Sequence, residues 1–343
     1  YKETMKNTRE NNFNIIRLSA ALLVIYVHSF SIFNTTKKEP IVSLLHLGFG
    51  LGEFAVTVFF IISGYLITAS YIKSGTNFQY FKARVLRIYP GLIVVMLLTA
   101  FLVGPFLTTL DIKAYFQSIE VYLYPIKGIP LFTATSFLPG LFTENHYPNA
   151  INGSLWTLFW EFLCYIGVAV LGNLKILNKL TVQLMMACVI VTSVILSFFS
   201  KDQFIMHSLV IVLPLFLAFF TGMLFYFIKS NIKFEIKWTC IALISFIILS
   251  NENLSFTNLY LLPLAYLVFA LSYSKHIRLY HFGSKYDISY GTYIYAFLIQ
   301  QILYQVTEGS LPFFINVTLS IVITIPFAFL SFVLIEKPIM KFK

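Results

Sequence analysis

Apolar runs of about twenty residues recur along this chain, and each is long enough to cross a bilayer as one helix. The first, NIIRLSAALLVIYVHSFSIF over Asn14–Phe33, shows what else such a run carries. Arg17 and His28 interrupt it. At about 100° per residue their spacing brings both to one face, separated by a rise of about 16 Å. A helix surrounded by lipid has little use for either group. Together they predict an inner face with a cation near one membrane surface and a titratable imidazole deep inside. The plainer reading of His28 is a histidine satisfied by a neighbouring helix.

Ten spans are expected, near 13–33, 48–71, 88–107, 154–172, 181–199, 207–228, 237–250, 258–273, 288–306 and 314–335. The expected fold class is therefore all-α, a polytopic membrane helix bundle forming a single domain over residues 1–343. Composition agrees, with 58% hydrophobic residues, 11% charged and a mean hydropathy of +0.82, a balance no soluble domain needs. A net charge of +10 can signal nucleic acid, but the basic residues are scattered between spans, so no such partner is expected.

Their placement is ordered. Nineteen Lys and Arg fall on one side of a ten-span arrangement, and only Lys37, Lys38, Lys113, Lys127 and Lys201 on the other. The positive-inside rule then puts both termini in the cytoplasm. The first span is too long for a signal-peptide core and no small-residue cleavage site follows it, so no cleavable signal is expected. The stretch 108–153, rich in Pro, Tyr and Thr, predicts short interfacial helices on the extracytoplasmic side. No internal repeat is visible, which weighs against an inverted-repeat transporter. Cys164, Cys188 and Cys240 lie inside apolar runs without paired spacing, so neither a disulfide framework nor a metal site is expected.

Arg84 and Arg87, in FKARVLRIYP, share a helix face, and their guanidinium forks suit phosphate. Interfacial anchoring is the simpler account of the pair taken alone. Pro90 reads as an early position of the third span. In NGSLWTLFWEFLCYIG, Asn152–Gly167, either Asn152 or Ser154 reads as a helix cap, and Trp156 and Trp160 form an i,i+4 aromatic edge. Glu161 follows about 10 Å below the helix start, a costly place for a carboxylate unless it is paired or neutral. His28 reaches a comparable depth from the other side. A carboxylate–imidazole pair that orients a general base is therefore expected, with a purely structural pair as the alternative. Glu53 is a second-rank carboxylate, Ser63-Gly64 permits close helix approach or a local break, and Ser63 lacks the setting of a nucleophile. Asp287, Ser289 and Tyr290 read as the N-terminal cap of the ninth span.

Taken together these segments resemble the acyltransferase-3 family of integral-membrane acyltransferases, nearly end to end, and in particular its bacterial polysaccharide O-acetyltransferase branch. Arg17 and His28 match the family's first-span pair. LGEFAVTVFFIISGYLI is similar to its second span, Arg84 and Arg87 before Tyr89-Pro90 to its cytoplasmic arginine motif, and FLPGLFTENHYPNAINGSLWTLFWEFLCYIG to the branch's outer loop and following span. DISYGTYIYAFLIQQ and Ile335-Glu336-Lys337-Pro338 resemble the ninth-span and closing signatures. Many relatives carry a histidine in the ninth-span signature where this chain has Ala296.

The resemblance implies transfer of an acetyl group from cytoplasmic acetyl-CoA to a sugar hydroxyl beyond the bacterial inner membrane. The acceptor would be a cell-surface polysaccharide, such as lipopolysaccharide O-antigen, or its lipid-linked precursor. It implies His28 and Glu161 as catalytic residues, and Arg17, Arg84 and Arg87 as binders of the acyl-CoA. Asn152, Trp156, Trp160 and Tyr165 would bind the acceptor. Acetyl-CoA would be a substrate rather than a bound cofactor, and no metal is implied; the partners are the glycan acceptor and membrane lipids. Direct attack of the hydroxyl on the thioester and passage through an acyl-enzyme both remain open. The alternative from another class is a transporter or flippase of a lipid-linked glycan, with Arg17, His28 and Glu161 as a relay.

Overall fold

The structure, a computed structural model, describes residues 11–33, 39–131, 137–199, 204–274, 277, 279, 281–283 and 285–343. Lys37, Lys38 and Lys201, three of the five basic residues expected on the far side, lie outside the described residues. Among the described residues every extended element is a helix, with two isolated β-bridges beside them. Ten helices have twelve residues or more. They are α1 Phe13–Ile32, α2 Leu51–Lys73, α3 Asn77–Leu98, α4 Trp156–Asn173, α5 Lys179–Phe199, α6 Phe204–Ile228, α7 Ile236–Leu249, α8 Leu261–Ser272, α9 Ser289–Thr307 and α10 Phe313–Ser331.

Each expected span falls on one of these helices. Seven are long and apolar enough to cross a membrane: α1 to α6, and α10 continued to Met340. That set fits a multi-pass membrane protein. The remaining three depart from the expectation for different physical reasons. With 14 and 12 residues, α7 and α8 rise about 21 and 18 Å, short of a hydrocarbon core of about 30 Å. Helix α9 has the length, at 19 residues, but carries Tyr, Thr and Gln where the others carry aliphatics. Every residue from Ser289 to Gln301 is buried, and a helix enclosed by protein needs no lipid-compatible face.

The third span also differs. Helix α3 begins at Asn77, so Pro90 sits well inside it rather than near its start, and Arg84 and Arg87 belong to the same continuous helix. It runs on through a π-helical turn, Thr99–Val103, to Leu107. Such a turn shifts the backbone hydrogen bonds. There the Tyr115 hydroxyl donates to the Ala100 carbonyl at 2.8 Å. Tyr115 lies on the short helix Ile112–Gln117, and a second short helix, Ile119–Lys127, follows it.

The chain separates into two compact units. The first holds the described residues of 1–20, 39–77 and 160–284. Its densest packing joins α2 and α6 through two glycines. A Cβ on Gly64 would stand 2.0 Å from the Phe219 carbonyl oxygen, and one on Gly222 would stand 2.0 Å from that of Ile61. The close approach expected of Ser63-Gly64 is thus present, and it is reciprocal.

The second unit holds the described residues of 21–38, 78–159 and 285–343. Here α9 is tied to its surroundings by side-chain polar groups. Gln300 donates through Nε2 to the Ile25 carbonyl and to Ser29 Oγ of α1, both at 2.8 Å. Gln301 donates to the carbonyls of Tyr147 and Ala150 and accepts from Asn145. These bonds pair both Nε2 groups and the Gln301 oxygen, each expensive to leave unpaired in a low-dielectric setting.

Candidate active site

His28 lies on the part of α1 that Gln300 clamps, since Ile25 and Ser29 flank it. Its Nδ1 stands 3.5 Å from Ser154 Oγ, at the edge of hydrogen-bonding range. The Phe297 ring of α9 meets the imidazole edge-on, with centroids 5.1 Å apart and an interplanar angle of 82°. Ser154 is held in turn. It belongs to a 3₁₀ turn, Gly153–Leu155, that leads into α4, and the Tyr293 hydroxyl donates to its carbonyl at 2.6 Å. The same hydroxyl lies 2.7 Å from Thr157 Oγ1. Asn152 does not cap the helix. Its Nδ2 donates to the Ile294 carbonyl at 2.7 Å, and Ser154 faces His28 instead. The imidazole therefore has one hydroxyl neighbour, one aromatic wall and a backbone held in register.

Glu161 has partners within the first unit. Ser63 Oγ donates to its Oε1 at 2.8 Å and the Tyr165 hydroxyl to the same oxygen at 2.6 Å. Tyr165 follows one turn later on α4, so that pairing is local; Ser63 arrives from α2. Two hydroxyl donors on one oxygen meet the requirement that a carboxylate inside a membrane-length helix be hydrogen-bonded. Trp160 packs edge-on against Phe216, and Trp156 is half-buried on α4. Glu53 is exposed at the first turn of α2.

The arginine pair resolves into unlike members. Arg87 reaches Asp287 at 2.6 Å and the fully buried Glu336 at 3.8 Å, and lies over the Tyr290 ring at 5.9 Å. Asp287 also accepts from Ser289 Oγ at 2.7 Å, so the expected capping group serves the ion pair as well. Arg84 lies one turn before Arg87, half-buried. Burial, and after it the Arg84 and Arg87 cations, lowers the Lys343 ammonium to about 8. Arg17 lies half-buried on α1, in the first unit.

Some of these neighbours were not singled out from the sequence. Gln300 and Gln301 carried a usable signal, because adjacent amides within an apolar helix demand partners. Ser63 and Ser154 read as residues of close approach and capping, and nothing in the sequence points to Glu161 or His28 as their partners, since small hydroxyls in membrane helices commonly satisfy their own backbone. Ala296 is fully buried in α9.

Three comparisons bear on this geometry. The model of the acyltransferase-3 family, described as an acyltransferase domain, matches residues 10–334. The chain is 31% identical over 342 residues to an O-acetyl transferase of Shigella phage Sf6, covering 96% of each. It is 27% identical over 353 residues to nodulation protein 10 of Rhizobium leguminosarum bv. viciae, covering 97% of this chain and 94% of that one. No solved structure matches it.

Proposed function

The chain belongs to the acyltransferase-3 family, and on that premise we propose that it transfers an acetyl group from cytoplasmic acetyl-CoA to a sugar hydroxyl on the extracytoplasmic side of a bacterial inner membrane. The acceptor in this reading is a cell-surface polysaccharide or its lipid-linked precursor. The observation that carries it is the likeness to an O-acetyl transferase across 96% of both chains.

In this proposal His28 is the general base. With Nδ1–H directed at Ser154 Oγ, the Nε2 lone pair is left to take the proton of the acceptor hydroxyl. The oxygen attacks the thioester carbonyl, the carbon–sulfur bond breaks, and the departing CoA thiolate receives the proton from His28. Glu161 is the second catalytic residue, its carboxylate oriented by Ser63 and Tyr165. Arg84 meets the donor's phosphates beside Lys343, while Arg87, paired with two carboxylates, fixes the shape of that corner. Arg17 keeps the donor-binding role that its family match implies. Asn152, Trp156, Trp160 and Tyr165 remain the residues proposed for the acceptor, with Asn152 acting through the backbone it holds.

The test is membranes containing the protein, supplied with acetyl-labelled acetyl-CoA. Label is expected in the extracted glycan, and His28→Ala is expected to lower it by about 10²- to 10⁴-fold with insertion and melting unchanged. Arg84→Ala should instead raise the KM for acetyl-CoA. Label that never reaches glycan in the wild type overturns the proposal.

A further inference from the structure

In the second unit, the loop over residues 142–149 is exposed at its tip and pinned at its base. Phe142 and Asn149 both take left-handed backbone, with φ of 57° and 60°. The Phe142 carbonyl accepts from the amides of Asn145 and Asn149, at 3.4 and 3.3 Å, which closes the turn. Asn145, buried, holds it down. Its Nδ2 donates to the backbone carbonyl and the side-chain oxygen of Gln301, both at 3.0 Å. Gln301 returns its own Nε2 to the carbonyls of Tyr147 and Ala150, at 2.8 and 2.7 Å. Around that anchor Glu144, His146, Tyr147, Pro148 and Asn149 are all exposed. So polar a tip belongs in water or among headgroups, not in hydrocarbon. A surface loop fixed from beneath by buried amides presents its side chains at set positions.

The aromatic member of that tip leads to His28. Tyr147 is 45% exposed, and its ring meets the Phe297 ring with centroids 6.1 Å apart and an interplanar angle of 75°. Phe297 is the same ring that walls the His28 imidazole. Gly153 gives it room, since a Cβ there would stand 2.7 Å from the Phe297 ring. Tyr147 and His28 thus flank one buried aromatic, with Tyr147 on its open side. A pyranose offers a face of C–H bonds that packs on an aromatic ring, while its hydroxyls radiate from the rim and stay free to react. The other rings considered for the acceptor are less open. Tyr165 is buried and bonded to Glu161, and Trp160 packs on Phe216.

We propose that Tyr147 is an acceptor-binding residue, the platform on which the sugar ring stacks beside Phe297 with one hydroxyl turned to His28. The proposal rests on the acetyltransferase reading for the acceptor role of the sugar; the fixed, exposed ring stands on the loop alone.

Two measurements on the full chain in membranes test it. In the first, glycolipid extracted from the same membranes is titrated as acceptor at saturating acetyl-labelled acetyl-CoA. Tyr147→Leu keeps apolar bulk against Phe297 but removes the ring. It should raise the KM for that glycolipid at least about tenfold, with kcat changed by less than about threefold and melting unchanged. Tyr147→Phe keeps the ring and should bring that KM back to within about threefold of wild type. In the second, p-benzoylphenylalanine replaces Tyr147, and irradiation is expected to bond that position to a sugar-bearing lipid. An unchanged KM in Tyr147→Leu, or a KM in Tyr147→Phe as high as in Tyr147→Leu, overturns the proposal. A loss confined to kcat overturns it too, because Tyr147 would then act on His28 through Phe297 and hold no sugar. So does a wild type that acetylates glycolipid while position 147 bonds only to phospholipid. Glycolipid bonded to position 147 in a protein that transfers no acetyl leaves the platform standing and defeats the enzymatic reading instead; neither bonding nor transfer defeats both.

Discussion

In the second unit α9 is held by side-chain amides and hydroxyls; in the first, α2 and α6 are held by bare backbone. Gln300, Gln301 and Tyr293 each reach a specific carbonyl or hydroxyl on another element. Gly64 and Gly222 bring two backbones together and make no directed contact through a side chain. Hydrogen bonds restrict distance and angle, whereas dispersion contacts reward closeness from many directions. The polar staples therefore set register as well as proximity, and they cluster around His28, where a proton must be passed along a defined line. The glycine contact supplies a stable wall against which α4 can present Glu161.

The largest effect should come from spoiling the backbone contact. Gly222→Leu sets a branched side chain where the Ile61 carbonyl already stands, and should cost at least about 3 kcal/mol. Detergent-solubilised protein should lose its monodisperse peak on size-exclusion chromatography. A normal peak and melting curve would show that α2 and α6 do not depend on that approach.

Next comes the second unit's ion cluster. Arg87→Met leaves the buried Glu336 carboxylate without its cation, at a cost of about 3–5 kcal/mol read as a lowered melting temperature. Adding Glu336→Gln and Asp287→Asn should restore most of that loss, because the cost lies in stranded charge. No recovery in the triple variant would mean that Arg87 acts through packing.

Gln300→Leu is smaller. It removes two hydrogen bonds that hold α1 beside His28 and should cost about 1–3 kcal/mol. It sharpens the comparison because kcat should fall more than stability alone accounts for. A variant destabilised with kcat intact would reduce the staple to a structural one.

The smallest effect is a pH dependence. With its ammonium lowered to about 8, Lys343 is charged below that pH and neutral above it, so its help in binding phosphates is lost as pH rises through that value. The KM for acetyl-CoA should rise by less than about fivefold from about pH 7 to about pH 9, and Lys343→Arg should flatten the rise. A profile unchanged by Lys343→Arg would exclude Lys343 from the donor site.

Much of the fold was legible. Every expected span coincides with a helix, because a run of apolar residues long enough to cross a bilayer forces its backbone to bond within itself. Three runs stand apart. Runs 237–250 and 258–273 are apolar, but their helices have 14 and 12 residues, and apolarity alone does not set a helix's length. Run 288–306 was long but polar, and its amides already announced that protein rather than lipid would surround it. Of the candidate site, the residue types were legible and their partners were not. Arg84 and Arg87 look alike in FKARVLRIYP, yet the carboxylates that occupy Arg87 come from the start of α9 and the region after α10.

The amino-acid sequence by itself determined that the chain is helical and built from apolar runs of membrane length, and that His28 and Glu161 fall inside such runs, where a polar group needs a partner. Those properties are sums over neighbouring residues, so they can be read locally. Only the tertiary structure decided that Glu161 answers to Ser63, that His28 stands beside Ser154 and Phe297, and that Gly167 faces open space while Gly64 faces a carbonyl. In a membrane-length segment a polar group must take its partner from whichever helix packs against it, and that choice is made across the whole fold.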